Sequence, residues 1–381
     1  MSRVATVVIL LAVITSPRPA RAGGGAGNGT AAETPAEAQL LARAGEGFHL
    51  RRTEHFLIAY DTPHHTLGSL VSRLEATYVS VYRLCKINEI ATRRQTDRLE
   101  VLFFDSYEAF GRYAESVGFA YRGSAGFYDQ RTDVAAFVNV LHLPTVAPLN
   151  NRIEQLDQRI ERLRTERPVD RRALREAAKK LTRLVNQRDR IVEHTNRMTV
   201  QHETAHQVLF NAGLHVFAAQ NPGWLVEGLA CLFETPPSSS GAGVGATNQA
   251  RLDDFRRCLG NGQPGGRIKI EALQEACAAG KMLPLSELIG DANLFSRRDN
   301  PNLVHYYSQS WSLVCYLQHR HREKFAAYLR LLSRREVGRT TTPESEIGDF
   351  ESIFGPLSER FERRWARFVL QLPFKPGEAG G

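Results

Sequence analysis

Two histidines and a glutamate near the middle of the 381-residue chain have the types and spacing of a metal site. His202 and His206 are four residues apart, so on a helix they share one face, with Cβ atoms about 5–6 Å apart. Two imidazoles at that separation suit a single tetrahedral zinc ion. Glu203 flanks the same face and could reach a metal-bound water without ligating the metal. The segment therefore predicts a helix that binds zinc and carries a general base.

A third ligand is available at Glu227, in the run Trp224 to Ala230. A catalytic zinc usually has three protein ligands and an open position for water, and two histidines with one glutamate are an established set. The metal lowers the pKa of its water, and Glu203 can pass the proton to a departing amine. These residues predict peptide hydrolysis. Short motifs match by chance, so a histidine pair without metal and a structural metal site remain alternatives.

Residues 198 to 235 resemble the gluzincin, or peptidase MA-like, zinc metallopeptidases, including uncharacterised exported bacterial members. The resemblance implies a zincin-like fold with Glu227 as third ligand, and Glu234 as an acid that orients a ligand histidine. Such enzymes commonly stabilise the oxyanion with a tyrosine or histidine of a later helix, which points to Tyr307; a core aromatic is the alternative interpretation. The residues that carry the resemblance are His202-Glu203-Thr204-Ala205-His206 and Trp224-Leu225-Val226-Glu227-Gly228-Leu229-Ala230-Cys231-Leu232-Phe233-Glu234.

The chain departs from that family pattern at two places. The thermolysin-like pattern has an aspartate four residues after the ligand glutamate, where this chain has Cys231. The G-x-M-E-N segment of the related aminopeptidases is also missing, which argues against trimming from the amino terminus. The resemblance therefore favours an endopeptidase.

The amino-terminal residues predict export. Arg3 precedes an apolar run from Val4 to Ile14, and Ala20-Arg21-Ala22 is a cleavage signal, so residues 1–22 are interpreted as a signal peptide and the protein as periplasmic or extracellular. The run is shorter than the ~20 residues of a membrane span, although an uncleaved anchor remains an alternative. We expect no stable span after cleavage. Residues 23–47, rich in Gly and Ala, predict a flexible tether.

The rest of the chain predicts an α+β fold that positions the motif. Residues 48–142 show short strands and amphipathic helices, forming a small mixed sheet whose last strand, at 134–140, is a candidate edge for an extended peptide. Residues 143–197 predict an inserted charged helical hairpin, either a structural insertion or a surface for a protein partner. Residues 198–372 are mainly helical, with the motif helix from Met198 to Ala212, and 373–381 predict a disordered tail.

Composition excludes few partners. The net charge of +8 is spread over many arginines and no nucleic-acid reader module is present, so we expect no nucleic-acid partner. Among five cysteines, Cys258 and Cys277 are the most plausible disulfide pair, and the others are interpreted as small buried hydrophobes. Histidines without a companion ligand are interpreted as surface or structural: His64, His65, His142, His194 and His215.

Two functions follow from the sequence. The first is a secreted zinc metallopeptidase in which His202, His206 and Glu227 bind Zn²⁺, Glu203 is the general base, and a peptide or protein is the substrate. The second is an exported, non-catalytic zincin-fold protein that uses the helical hairpin for binding or as a scaffold. An intact Glu203 favours the enzyme, since a protein without turnover does not need its base.

Overall fold

A computed structural model describes residues 34–93, 95–235, 246–260, 271–297 and 300–373. The predicted signal peptide, the first part of the predicted tether and the tail from residue 374 lie outside them. Within these ranges the protein is α+β and mostly helical, with 13 α-helices and one five-stranded mixed sheet. None of the helices in these ranges combines the length and apolar character needed to cross a bilayer.

The first part of the chain alternates helices and strands. The elements are α1 (Pro35–Ala44), β1 (His49–Arg52), β2 (Phe56–Tyr60), α2 (His64–Ile87), β3 (Leu99–Phe104), α3 (Tyr107–Ser116), β4 (Gly126–Asp129) and β5 (Val134–Val138). The remainder is helical: α4 (Ala147–Thr165), α5 (Arg171–Asn211), α6 (Gly223–Phe233), α7 (Gln249–Cys258), α8 (Glu271–Ala278), α9 (Leu285–Gly290), α10 (Leu303–Arg320), α11 (Arg322–Leu332), α12 (Pro343–Phe354) and α13 (Glu359–Leu370).

The sheet has the order β1-β2-β3-β5-β4. β2, β3 and β5 run parallel, while β1 and β4 pair antiparallel to their neighbours. The prediction that the last strand is an edge is therefore wrong, because β5 lies between β3 and β4. The short turn after β4 folds β5 back into the interior of the sheet, so β4 is the edge strand on that side.

Both faces of the sheet are covered, which explains why every residue of β2, β3 and β5 is buried. Ile58 and Val101 face a core that includes residues of α2, α5 and the helical part. Leu57 and Leu102 face the opposite core, which contains Phe110 of α3 and residues of α1. The alternation of strand residues thus divides them between two cores, and α5 contributes to the first of these.

Part of the predicted tether is an ordered helix. Thr34 caps α1 in a reciprocal arrangement with Glu37, and Pro35 occupies its first turn. Leu40 of α1 is fully buried against the sheet. The tether prediction is wrong for residues 35–44, because one buried leucine with two capping residues orders a helix that the small, weakly apolar composition did not indicate.

Replacing Glu37 with glutamine should lower stability in a pH-dependent way. The hydrogen bond from Arg52 lowers the pKa of Glu37 from 4.5 to about 2. A folded-state pKa below the unfolded value means that the stabilisation is complete above pH 4.5 and is lost as pH falls towards 2. We expect Glu37→Gln to reduce the free energy of unfolding by about 1–3 kcal/mol at neutral pH. Urea titrations from pH 7 to 3 should show this difference shrinking, whereas exposed Glu46→Gln should have little effect throughout.

The hairpin and the motif share one helix. α5 has 41 residues and runs without a break from the hairpin turn through Asn211. The predicted start of a separate motif helix at Met198 is therefore wrong. No Gly or Pro occurs between Asp170 and Gly213 to end the helix. The apolar pattern changes near Arg188 because the helix exchanges α4 for the sheet as its packing partner.

The predicted disulfide is absent. All five cysteines are free. Cys258 at the end of α7 is buried and Cys277 of α8 packs against the same apolar core. The pair was predicted wrongly, since shared loop-rich surroundings in the sequence do not determine which way two helices turn their side chains.

Candidate metal centre

The motif region of α5 is docked on the sheet by hydrogen bonds to backbone and side-chain oxygens. The amide of Gln207 donates to the carbonyl oxygens of Glu100 and Asp133, both at 2.9 Å. The amide of Asn211 donates to Oδ1 of Asp133 at 2.7 Å. These contacts fix the rotation of α5 about its axis, so that His202 and His206 both face α6 and are fully buried.

Three buried side chains from two helices meet at one point. The Nε2 atoms of His202 and His206 are 2.9 Å apart. Oε2 of Glu227 lies 3.0 Å from Nε2 of His202 and 3.2 Å from that of His206. Ligand atoms about 2.0–2.1 Å from a tetrahedral zinc are about 3.3–3.4 Å apart. This near-equilateral triangle could therefore hold a metal ion with only small adjustment.

Glu227 reaches this point because α6 packs very closely on α10. A Cβ atom built on Gly228 would lie 2.7 Å from the backbone oxygen of Ser310 and 2.7 Å from Cγ2 of Val314. Only a glycine permits this approach. The neighbouring Glu227 is consequently held at a fixed depth opposite α5.

Replacing Gly228 with alanine should force α6 away from α10. We expect the free energy of unfolding to fall by about 1–3 kcal/mol, the usual cost of overpacking. Gly348→Ala is the matched control, since Gly348 is an exposed position of α12 with no atom within 4 Å of the added Cβ. That change should stabilise by about 0.5–1 kcal/mol. Urea unfolding of both variants checks the prediction, and equal effects would contradict it.

The other ring nitrogen of His202 is held by Glu234. Oε1 of Glu234 lies 2.9 Å from Nδ1 of His202, so this nitrogen donates and Nε2 is left to accept or to bind a metal. Glu234 is itself fixed by α7: the amide of Asn248 donates to its Oε2 at 2.8 Å, and Arg251 makes two further bonds to its oxygens. Cys231, in place of the aspartate of the family pattern, is buried 4.0 Å from Nδ1 of His202.

The pKa values show that the centre attracts positive charge. Burial alone would raise the pKa of Glu227, but adjacent His206 and His202 lower it to about 2. Burial alone would lower the pKa of His202, but hydrogen bonds to Cys231 and two carboxylates raise it well above its ordinary value. Burial lowers the pKa of His206, and the neighbouring His202 contributes to that decrease. The carboxylate of Glu227 is therefore negatively charged at neutral pH, which favours a cation at this point.

Tyr307 of α10 borders the same centre. The centroid of the Tyr307 ring lies 6.1 Å from that of His202. The guanidinium carbon of Arg251 lies 5.3 Å from the same Tyr307 centroid. Burial raises the pKa of Tyr307 well above its ordinary value, and the charges of Glu227 and Glu203 add to the increase. The phenol therefore keeps its proton at neutral pH. Glu203 is fully buried on α5, one residue after His202.

The structure brings together all six predicted site residues, and three more that the sequence did not reveal: Asn248, Arg251 and His215. Of the two interpretations of His215, surface or structural, burial excludes the first, since the residue is almost fully buried. Burial lowers its pKa to about 3, and nearby His206 contributes to that decrease. No sequence signal marks these residues, because their relation to the motif depends on tertiary packing.

A second group of candidate ligands lies at the far end of α7. Nδ1 of His305 is 3.1 Å from both oxygens of Asp254, and Cys258 completes the group. The side chains of His305 and Asp254 are partly exposed, unlike the motif residues. Their close contact is already explained by a hydrogen bond between imidazole and carboxylate.

The comparison with known proteins gives one match. Residues 196–337 match the model of a family described as "Protein of unknown function (DUF1570)". The matched segment covers less than half of the chain and includes the motif of α5, together with α6, α7 and α10. No curated protein and no solved structure matches the chain.

Proposed function

We propose that this protein is an exported zinc metallopeptidase of the gluzincin type, with a zincin-like fold. The observation that carries the proposal is the buried triangle of His202 Nε2, His206 Nε2 and Glu227 Oε2, with edges of 2.9–3.2 Å. The buried carboxylate of Glu203 follows the first ligand on the same helix. Two imidazoles, one carboxylate and an adjacent general base are the components of a hydrolytic zinc site.

The donor set favours zinc over the hard divalent ions. Calcium and magnesium prefer six or more oxygen ligands or retain several waters, whereas this centre offers two imidazole nitrogens and one carboxylate oxygen. Glu234 supports the assignment, because a carboxylate hydrogen-bonded to the second nitrogen of a ligand histidine fixes its tautomer.

Each residue has a role in peptide hydrolysis. Bound zinc would polarise the substrate carbonyl and acidify a water molecule. Glu203 takes a proton from the attacking water and gives it to the departing amine. Tyr307, protonated at neutral pH, donates a hydrogen bond to the oxygen that becomes negative as the carbonyl carbon turns tetrahedral. Cleavage within a polypeptide is favoured over terminal trimming, because the sequence has no G-x-M-E-N segment.

The proposal is tested by metal content and cleavage in the same preparation. The mature chain should contain about one zinc per molecule and cleave an internally quenched peptide library, and a chelator should remove both properties until zinc is returned. Cys258→Ala should leave both unchanged, which excludes the second ligand group as the source of the metal. Absence of zinc overturns the proposal. Bound zinc without cleavage of peptides or casein would instead support a non-catalytic binding or scaffold protein.

A further inference from the structure

Arg251 of α7 is a buried cation that bonds both oxygens of Glu234 through one edge of its guanidinium. Nε lies 2.9 Å from Oε2 of Glu234, and the terminal Nη2 lies 2.6 Å from Oε1. The same Oε1 is 2.9 Å from Nδ1 of His202. A continuous chain of hydrogen bonds thus connects α7 through Glu234, the C-cap of α6, to the first histidine on α5. The paired geometry fixes the carboxylate in direction as well as in position.

The guanidinium also touches the other side of the centre. Its carbon lies 5.3 Å from the centroid of the Tyr307 ring, within the range of a cation–π contact. Asn248, the N-cap of α7, accepts from the backbone N–H of Arg251 and donates to Glu234. One turn of α7 therefore contacts both Glu234, which bonds His202, and the ring of Tyr307 on α10.

The charge of Arg251 balances the centre. Glu203, Glu227 and Glu234 are all buried, so three carboxylates lie where bulk solvent screens their charges little. A divalent ion compensates two of these charges when all three are ionised. Arg251 supplies the remaining positive charge. A buried carboxylate that loses its only cationic partner is strongly destabilised, or takes up a proton and becomes a different hydrogen-bond partner.

We propose that Arg251 is a positioning residue for the metal centre, acting through Glu234 on His202 and through its contact with the Tyr307 ring. This inference rests on the proposed zinc site. The Nε–Nη2 edge of Arg251 bonds Glu234 and one face of its guanidinium lies against Tyr307, so these surfaces are not available to a substrate. Lysine cannot replace it, since a single ammonium cannot bond both carboxylate oxygens in the same fork and does not stack in the same way.

The test compares two positions on one helix. Arg251→Lys and Arg251→Met are examined beside Arg256→Met, which removes a second buried arginine of α7 that contacts the backbone oxygen of Leu370 instead of the centre. Zinc affinity is measured by competition with a chelator. The visible spectrum of the Co²⁺-loaded protein reports ligand geometry, and thermal unfolding of the metal-free protein reports the fold.

Arg251→Met should weaken zinc binding about 10–100-fold, the range for loss of a supporting partner of a ligand histidine. The Co²⁺ bands should shift, and kcat should fall more than KM rises. Arg251→Lys should restore folding stability but only part of the zinc affinity. Arg256→Met should lower the unfolding temperature and leave zinc affinity and the Co²⁺ spectrum unchanged.

A double variant tests the route through Glu234. If Arg251 acts by holding that carboxylate, Arg251→Met should weaken zinc binding much less in a Glu234→Gln background than in the wild type. Equal effects in both backgrounds overturn the route. Wild-type zinc affinity and an unshifted Co²⁺ spectrum in folded Arg251→Met or Arg251→Lys overturn the inference alone. A wild-type protein that binds no zinc overturns the proposed function and this inference together.

Discussion

Glu203→Gln should lower kcat/KM for peptide cleavage by at least about 10²–10⁴-fold, the usual contribution of a general base. The amide has nearly the same shape as the carboxylate but cannot take a proton from water. Because Glu203 follows His202 without belonging to the triangle of ligand atoms, zinc affinity should change little. Initial rates on one quenched peptide, together with zinc content, measure both effects in the same sample.

A glutamate on the same helix provides the control. Glu193 is exposed and pairs with Arg73 on the surface. Glu193→Gln should retain wild-type rates and metal content, which separates the role of Glu203 from a general effect of changing the charge of α5. A Glu203→Gln protein that cleaves at wild-type rates would show that another group activates the water.

Glu227→Gln should remove zinc and activity together. An amide is a weaker zinc ligand than a carboxylate, and the change also takes one negative charge from a buried centre. We expect zinc affinity to fall by more than the about 10–100-fold typical of residues that only support a ligand. Titration with a fluorescent zinc chelator measures the affinity, and assays at rising zinc concentration measure the recovery of activity.

The two variants differ in their response to added metal. Excess zinc should return part of the activity to Glu227→Gln, because the two histidines still offer a weak site, but none to Glu203→Gln. Circular dichroism should show that both proteins keep their helices. A Glu227→Gln protein that retains tight zinc binding would place the third ligand elsewhere, and buried His215 would be the next residue to change.

Local spacing predicted the parts of the site that depend on helix geometry. The four-residue step from His202 to His206 needs only one turn of helix, and one helix does carry both residues. Glu227 and Glu234 were predicted because they belong to one recognisable run of sequence. The two histidines lie on one helix, and the two glutamates lie in a second segment that the family pattern already pairs with it.

The remaining features depend on contacts between distant elements. Arg251 resembles any charged residue of a surface helix until α7 packs against α10 and buries it. The position of β5 inside the sheet follows from its pairing with β3, which a strand pattern does not encode. The continuity of α5 was missed because a change of packing partner near Arg188 alters the apolar period without ending the helix.

The unbroken helix α5 connects the two histidines directly to the tip of the hairpin. From Arg171 to His202 a helix rises roughly 45 Å, so a tilt of one degree at the motif would move the hairpin tip by roughly 0.8 Å. A spin label or fluorophore at the tip would therefore magnify angular changes that are too small to measure at the ligands themselves. A label on the hairpin would therefore report changes in the orientation of the helix segment that carries the two histidines.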